Sequence, residues 1–172
     1  THDGSETTAD SFRYTVSDGT TTSAPVTVSL AISAVNDPPS ISAIGDQVLA
    51  EDATGTVALA INDADDSANA LVVTATSSNP AVIADANLRV LGGGGSRSLE
   101  LTPTADASGT AIISVTVSDG DASTTTTFQV SVNAVNDAPT ISALPDITTT
   151  EDTPIAPVSV TVADAETAAN GL

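Results

Sequence analysis

The segment AVNDPPSIS at residues 34–42 returns as AVNDAPTIS at residues 134–142. This internal repetition constrains the fold more than any other feature of the chain. A fixed period means that one structural unit is copied, and the period sets the size of the unit. Glu51-Asp52 returns as Glu151-Asp152, Tyr14-Thr-Val-Ser-Asp-Gly19 as Val115-Thr-Val-Ser-Asp-Gly120, and Ile61-Asn-Asp-Ala-Asp65 as Val162-Ala-Asp-Ala-Glu166. The offset stays at 100 or 101 throughout, so the register is secure. Residues 1–37 read as the C-terminal part of a first repeat, 38–137 as a complete repeat, and 138–172 as the N-terminal part of a third. Both ends then fall inside a repeat. That points to a window on a longer array, or to partial repeats completed by neighbouring chains, because half a sandwich exposes its core and its edges.

Within a repeat the apolar residues alternate. Val26, Val28, Leu30 and Ile32 point one way with Thr, Ser and Ala between them, and Phe128, Val130 and Val132 do the same. This is the period of a strand with one buried face. In the complete repeat, strands are predicted at about 40–49, 55–61, 70–76, 88–91, 97–101, 110–117 and 124–134. Turn-formers separate them, including Gly92 to Gly95, which reads as a slack hairpin connection. No segment carries a helical period. The expected fold is all-β, built of tandem Greek-key β-sandwich repeats of about 100 residues.

Charge decides which chemistry such units can carry. Of 172 residues, 22 are Asp or Glu and 3 are Lys or Arg, for a formal net charge of −19. The cations are Arg13, Arg89 and Arg97. Nucleic acid is excluded as a partner, since phosphate binding needs Lys and Arg. No apolar run is long enough to span a membrane, so no membrane insertion is expected in this segment. With no Cys there are no disulfides, and with no Lys there are no Lys–Asn isopeptide cross-links. His2 is the single histidine, and nothing positions a Ser-His-Asp arrangement, so the chain reads as no enzyme.

Strands that run up and down place alternate loops at opposite ends. Asp63, Asp65, Asp66 and Asp119 then gather at one end beside the incoming linker Asn36-Asp37. Glu51, Asp52 and Asp106 gather at the other end, beside the outgoing linker Asn136-Asp137, where the next repeat presents Asp164 and Glu166. Carboxylates this close repel if left bare. Oxygen-only donors suit Ca²⁺, which takes six to eight oxygens in flexible geometry, whereas zinc or copper would call for Cys and His. A competing reading remains for each position. The Asn-Asp-x-Pro segments also make plain turns, and Asp119-Gly120 also makes a plain hairpin. Asp46, Asp85, Asp121 and Asp146 read as surface or turn residues.

These motifs resemble cadherin-like tandem repeats of large bacterial surface and secreted adhesin-type proteins. The residues that carry the resemblance are the linker Asn136-Asp137-Ala138-Pro139 (Asn36-Asp37-Pro38-Pro39 in the earlier copy), Glu51, Asp63-Ala64-Asp65 and Asp119-Gly120. The resemblance implies calcium held between successive sandwiches and a rod stiffened by it. Some family positions differ. Ala34 and Ala134 stand where an extra Asp is usual, Glu166 replaces the second Asp of its loop, and Asp106 stands alone in its base loop, with Asp3 or Glu6 as its counterpart in the first repeat. One or two ions per junction are therefore expected. The function expected is an extracellular calcium-stiffened spacer or rod in a surface adhesin, stalk or filament, with neighbouring repeats of the same chain or fibre as partners. The alternatives are an adhesion module for a host or cell-surface glycan or protein, and a strand-exchanging subunit of a fibre. The scarcity of aromatics (Phe12, Tyr14 and Phe128) weakens the glycan alternative.

Overall fold

The computed structural model describes residues 7–167; His2, Asp3 and Glu6 lie outside them. A first hairpin pairs β1 (Ala9–Tyr14) with β2 (Val26–Ala31). The following strands are β3 (Ser40–Ile41), β4 (Gln47–Ala50), β5 (Gly55–Asn62), β6 (Val72–Ser77), β7 (Leu88–Gly93), β8 (Ser96–Leu101), β9 (Gly109–Ser118) and β10 (Ser123–Asn133). They form two four-stranded sheets in the orders β3-β5-β8-β7 and β4-β10-β9-β6. All pairings are antiparallel except β4 with β10, which is parallel. This is the strand order of an immunoglobulin-like sandwich. A last pair joins β11 (Thr140–Ile141) to β12 (Val162–Ala163).

The core follows from the alternation. Val57, Leu59 and Ile61 from one sheet face Ala111, Ile113, Val115 and Val117 from the other, with Leu99, Leu101, Phe128, Val130 and Val132 closing the interior. The intervening Thr and Ser of β9 and β10 face outward, which is why a chain this rich in hydroxyls forms sheets with one wet face.

Sequence and structure part company at the first strand of the sandwich. The predicted strand over 40–49 is two short strands in different sheets. Ile41 pairs with Ile61 in one, and Val48 pairs with Ser131 in the other. The chain crosses between sheets near Gly45 and Asp46, where the Asp46 carboxylate accepts the Gln129 N–H at 2.8 Å. Asp46 therefore occupies the edge of β10, and Asp85 likewise accepts the Ser77 N–H at 2.7 Å. Both are structural acceptors rather than free surface acids.

Internal repetition is visible in the pairing itself. Phe12 opposite Val28 in the first hairpin matches Ile113 opposite Phe128 in the sandwich, and Ile141 opposite Val162 matches Ile41 opposite Ile61. The first hairpin lacks a second sheet among the described residues, and Phe12, Tyr14, Val26 and Leu30 on it are exposed.

Candidate cation-binding junctions

At one end of the sandwich, three segments meet. β5 runs into the loop carrying Asp63, Asp65 and Asp66, the β9–β10 hairpin carries Asp119, and the linker brings Asn36 and Asp37. Asp63 folds its own loop: its Oδ1 accepts the N–H groups of Asp65 and Asp66 at 2.9 and 2.8 Å. Asp65 Oδ2 then accepts the linker N–H of Asp37 at 2.7 Å. Asn36 Nδ2 donates to Asp119 Oδ2 at 3.0 Å. Two anchors fix the linker's path further, since Pro39 is buried and its carbonyl accepts the Thr124 hydroxyl.

Both readings of Asp119 meet in its two oxygens. Oδ1 accepts the N–H groups of Asp121 and Ala122 at 2.8 and 2.6 Å, which is the turn role. Oδ2 faces the linker through Asn36. The Ala122 N–H and the Asn36 amide hold its carboxyl below the ordinary value of 3.8. Asp63 Oδ2 is buried and has no hydrogen-bond partner among the described residues.

The other end is built on Glu51, whose residue is 4% exposed. Its N–H donates to the Asn133 carbonyl at 3.1 Å, and its Oε1 accepts the Val135 N–H at 2.7 Å. A buried carboxylate thereby ties the outgoing linker to the base of the sandwich. The linker then delivers Asp137, whose N–H donates to Glu166 Oε2 at 3.0 Å. This repeats the Asp37–Asp65 bond one period later. Asp164 repeats Asp63, accepting the N–H groups of Glu166 and Thr167 at 3.1 and 2.7 Å.

Carboxylate oxygens of Glu51, Asp137 and Glu166 lie within 4.8 Å of one another. Glu51 belongs to one sandwich, Asp137 to the linker and Glu166 to the loop beyond β12. Asp137 Oδ2 is buried with no hydrogen-bond partner among the described residues. Loss of solvent pushes the Asp137 carboxyl up, and the negative charges of Asp52, Glu166, Asp106 and Glu51 push it further. An open pocket of about 400 Å³ adjoins, lined by residues including Asp106, Asp137 and Asp164. Asp106 reaches it from a left-handed turn, at φ 57°. Asp52 and Asp106 thus act on Asp137 through charge and stand outside the tight group of oxygens. The Asn136 amide donates to the Asp137 carbonyl at 2.8 Å.

Two features were not legible in the residues alone. One is the Glu51–Val135 bond, which depends on a backbone N–H that no side-chain pattern marks. The other is Arg97, which donates to the carbonyls of Gly94, Ala68 and Leu71. Its only sequence signal is its place after a run of four glycines.

Residues 36–133 match the family model of the bacterial Ig domain. Among solved structures, titin domain M7 is similar at 14% identity over 59% of this chain and 100% of that one, with a TM-score of 0.46. Domains 4 and 5 of the S-layer protein SbsC give 15% identity over 71% of this chain and 58% of that one, with a TM-score of 0.41. The N-terminal Ig1-2 module of the Drosophila receptor protein tyrosine phosphatase DLAR gives 14% identity over 62% and 57%, with a TM-score of 0.43. No curated protein matches the sequence. No helix among the described residues is long and apolar enough to cross a membrane.

Proposed function

Because the chain belongs to the bacterial Ig domain family, we propose that it is a structural module of an extracellular bacterial surface protein, a spacer whose sandwiches are joined by calcium-bridged junctions. One observation carries the reading: Glu51, Asp137 and Glu166, from two successive units and their linker, bring oxygens within 4.8 Å of one another. Left bare, this arrangement is repulsive. The buried, unpartnered Asp137 Oδ2 is the kind of acceptor that a cation would satisfy.

The donor set fits calcium, since every candidate is a carboxylate or an amide oxygen. Glu51, Asp52, Asp106, Asn136, Asp137, Asp164 and Glu166 would supply the second junction. Asn36, Asp37, Asp63, Asp65 and Asp119 would supply the first. The cation would offset part of the cluster's charge and tie one sandwich to the next, limiting their bending. This finer reading, the cadherin-like one, makes neighbouring repeats the partners and assigns the module no catalysis.

Extracellular modules bind calcium at about 10⁻⁴ to 10⁻³ M. At about 10 mM calcium such a site adds about 1.4–2.7 kcal/mol to folding stability. Thermal unfolding in 10 mM calcium is expected to show a higher melting temperature than in chelator, with calorimetric binding in that affinity range. Equal melting temperatures and no binding heat would contradict the reading.

A further inference from the structure

The acidic loop between β5 and β6 is gripped at both ends by a part of the chain that contributes no acid. At its start, the Ile61 N–H donates to the Gly95 carbonyl at 2.9 Å. At its end, one guanidinium nitrogen of Arg97 donates to the Ala68 and Leu71 carbonyls, both at 2.8 Å. Arg97 Nε donates to the Gly94 carbonyl at 3.1 Å, so the same side chain also sets the β7–β8 turn. A planar guanidinium presents its donors in a fixed fork, which suits carbonyls converging from two loops.

The glycine turn is shaped to lie against that loop and is not slack. A Cβ at Gly95 would stand 3.0 Å from the Ile61 carbonyl oxygen and 3.8 Å from the Ala68 Cβ. A Cβ at Gly93 or Gly94 would lie 3.8 Å from Asn69 Oδ1. Gly92 and Gly94 sit at φ of 85° and 66°, where side chains are strained. In a chain with three cationic side chains, this half-buried one makes its bonds to carbonyls beside the acids rather than to their carboxylates. Between the two anchors lie Asp63, which folds the loop through Oδ1, and Asp65, which receives the linker N–H of Asp37.

We propose that Arg97, held by the glycine turn at 92–95, is the positioning residue for the cation ligands of the first junction. It fixes the ends of the loop so that Asp63 and Asp65 stand ready beside Asp37. Mutual repulsion of Asp63, Asp65 and Asp66 would otherwise spread the loop, and each binding event would have to restore it. This inference rests on reading the loop as a cation site, so its test needs one arm without metal.

The experiment compares the full chain with Arg97→Gln and Arg97→Lys by amide exchange in chelator, then by calcium titration followed residue by residue by NMR. In chelator, Arg97→Gln is expected to speed exchange at Asp37, Asp65 and Asp66 about tenfold, the scale set by losing a charged donor's bond. Val115 and Val130 in the core keep their protection. Arg97→Lys lacks the fork and is expected to restore only part of the effect. On titration, calcium affinity read at Asp37 and Asp65 falls about tenfold in Arg97→Gln, while Asp137 and Glu166 respond as in the parent chain. Unchanged exchange at Asp65 and Asp66, or equal affinity at the first junction, would overturn the positioning role. If the parent chain shows no calcium response at either junction, the cation reading fails, and the exchange arm still decides whether Arg97 holds the loop.

Discussion

Asp137→Asn is expected to raise the melting temperature in chelator at neutral pH and to cancel the stabilisation that calcium is proposed to provide at the second junction. Both effects come from the same geometry. The Asp137 carboxylate is desolvated and faces Asp52, Glu166, Asp106 and Glu51, so its charge works against folding when no cation is present. An amide removes that charge and adds donors toward Glu51 and Glu166, whose oxygens lie within 4.8 Å. It also removes an anionic oxygen from the proposed cation site, so the gain expected in calcium is lost.

The pH dependence has the matching sign. Because the folded chain holds a proton on Asp137 more readily than the unfolded chain, this group's contribution to stability is fully present below the ordinary value of 3.8 and is lost as pH rises through its raised folded value. In chelator, mild acidification above 3.8 is therefore expected to stabilise the parent chain more than Asp137→Asn. Asp18 and Asp119 act oppositely: backbone N–H donors hold them below 3.8, so their contribution is lost only as pH falls below that value. Melting curves of parent and variant across that range check both signs. A variant less stable than the parent in chelator would contradict the repulsive cluster.

The second large effect lies in the core. Leu99 on β8 is 0% exposed and packs in the main apolar cluster. Leu99→Ala is expected to cost about 3 kcal/mol, the transfer loss plus the cavity left in a close-packed interior. Denaturant unfolding measures it, and a loss under about 1 kcal/mol would mean that the two sheets do not close on one another there. Arg89→Ala is a useful contrast, because its side chain is largely exposed in the ion pair with Glu100 at 3.1 Å and a pair of this kind contributes little.

The sandwich was legible because strand alternation and a 100-residue repeat are both local signals. Val57, Leu59 and Ile61 declare one face, and Ile113, Val115 and Val117 declare the other. The crossing at Gly45 and Asp46 was not legible. Residues on both sides of it are apolar enough for one strand, and the pairing partner decides which sheet each half joins. Val82 and Ile83 were missed as core for a related reason: they plug the interior from a loop, where no periodicity marks them. The acids sorted to the two ends because topology follows from strand count, whereas their roles did not follow. Whether an Asp oxygen faces its own turn or the linker, as Asp119 does with one oxygen each, depends on the backbone path, which residue identity does not encode.

Negative side chains from successive sandwiches converge at the linker, and a divalent cation is proposed to lock them together. Small-angle scattering of the full chain in calcium and in chelator tests it most directly. A narrower, more extended distribution of interatomic distances is expected with calcium, and a broader, more bent one without it. Superimposable curves, with calcium shown to be bound, would contradict it.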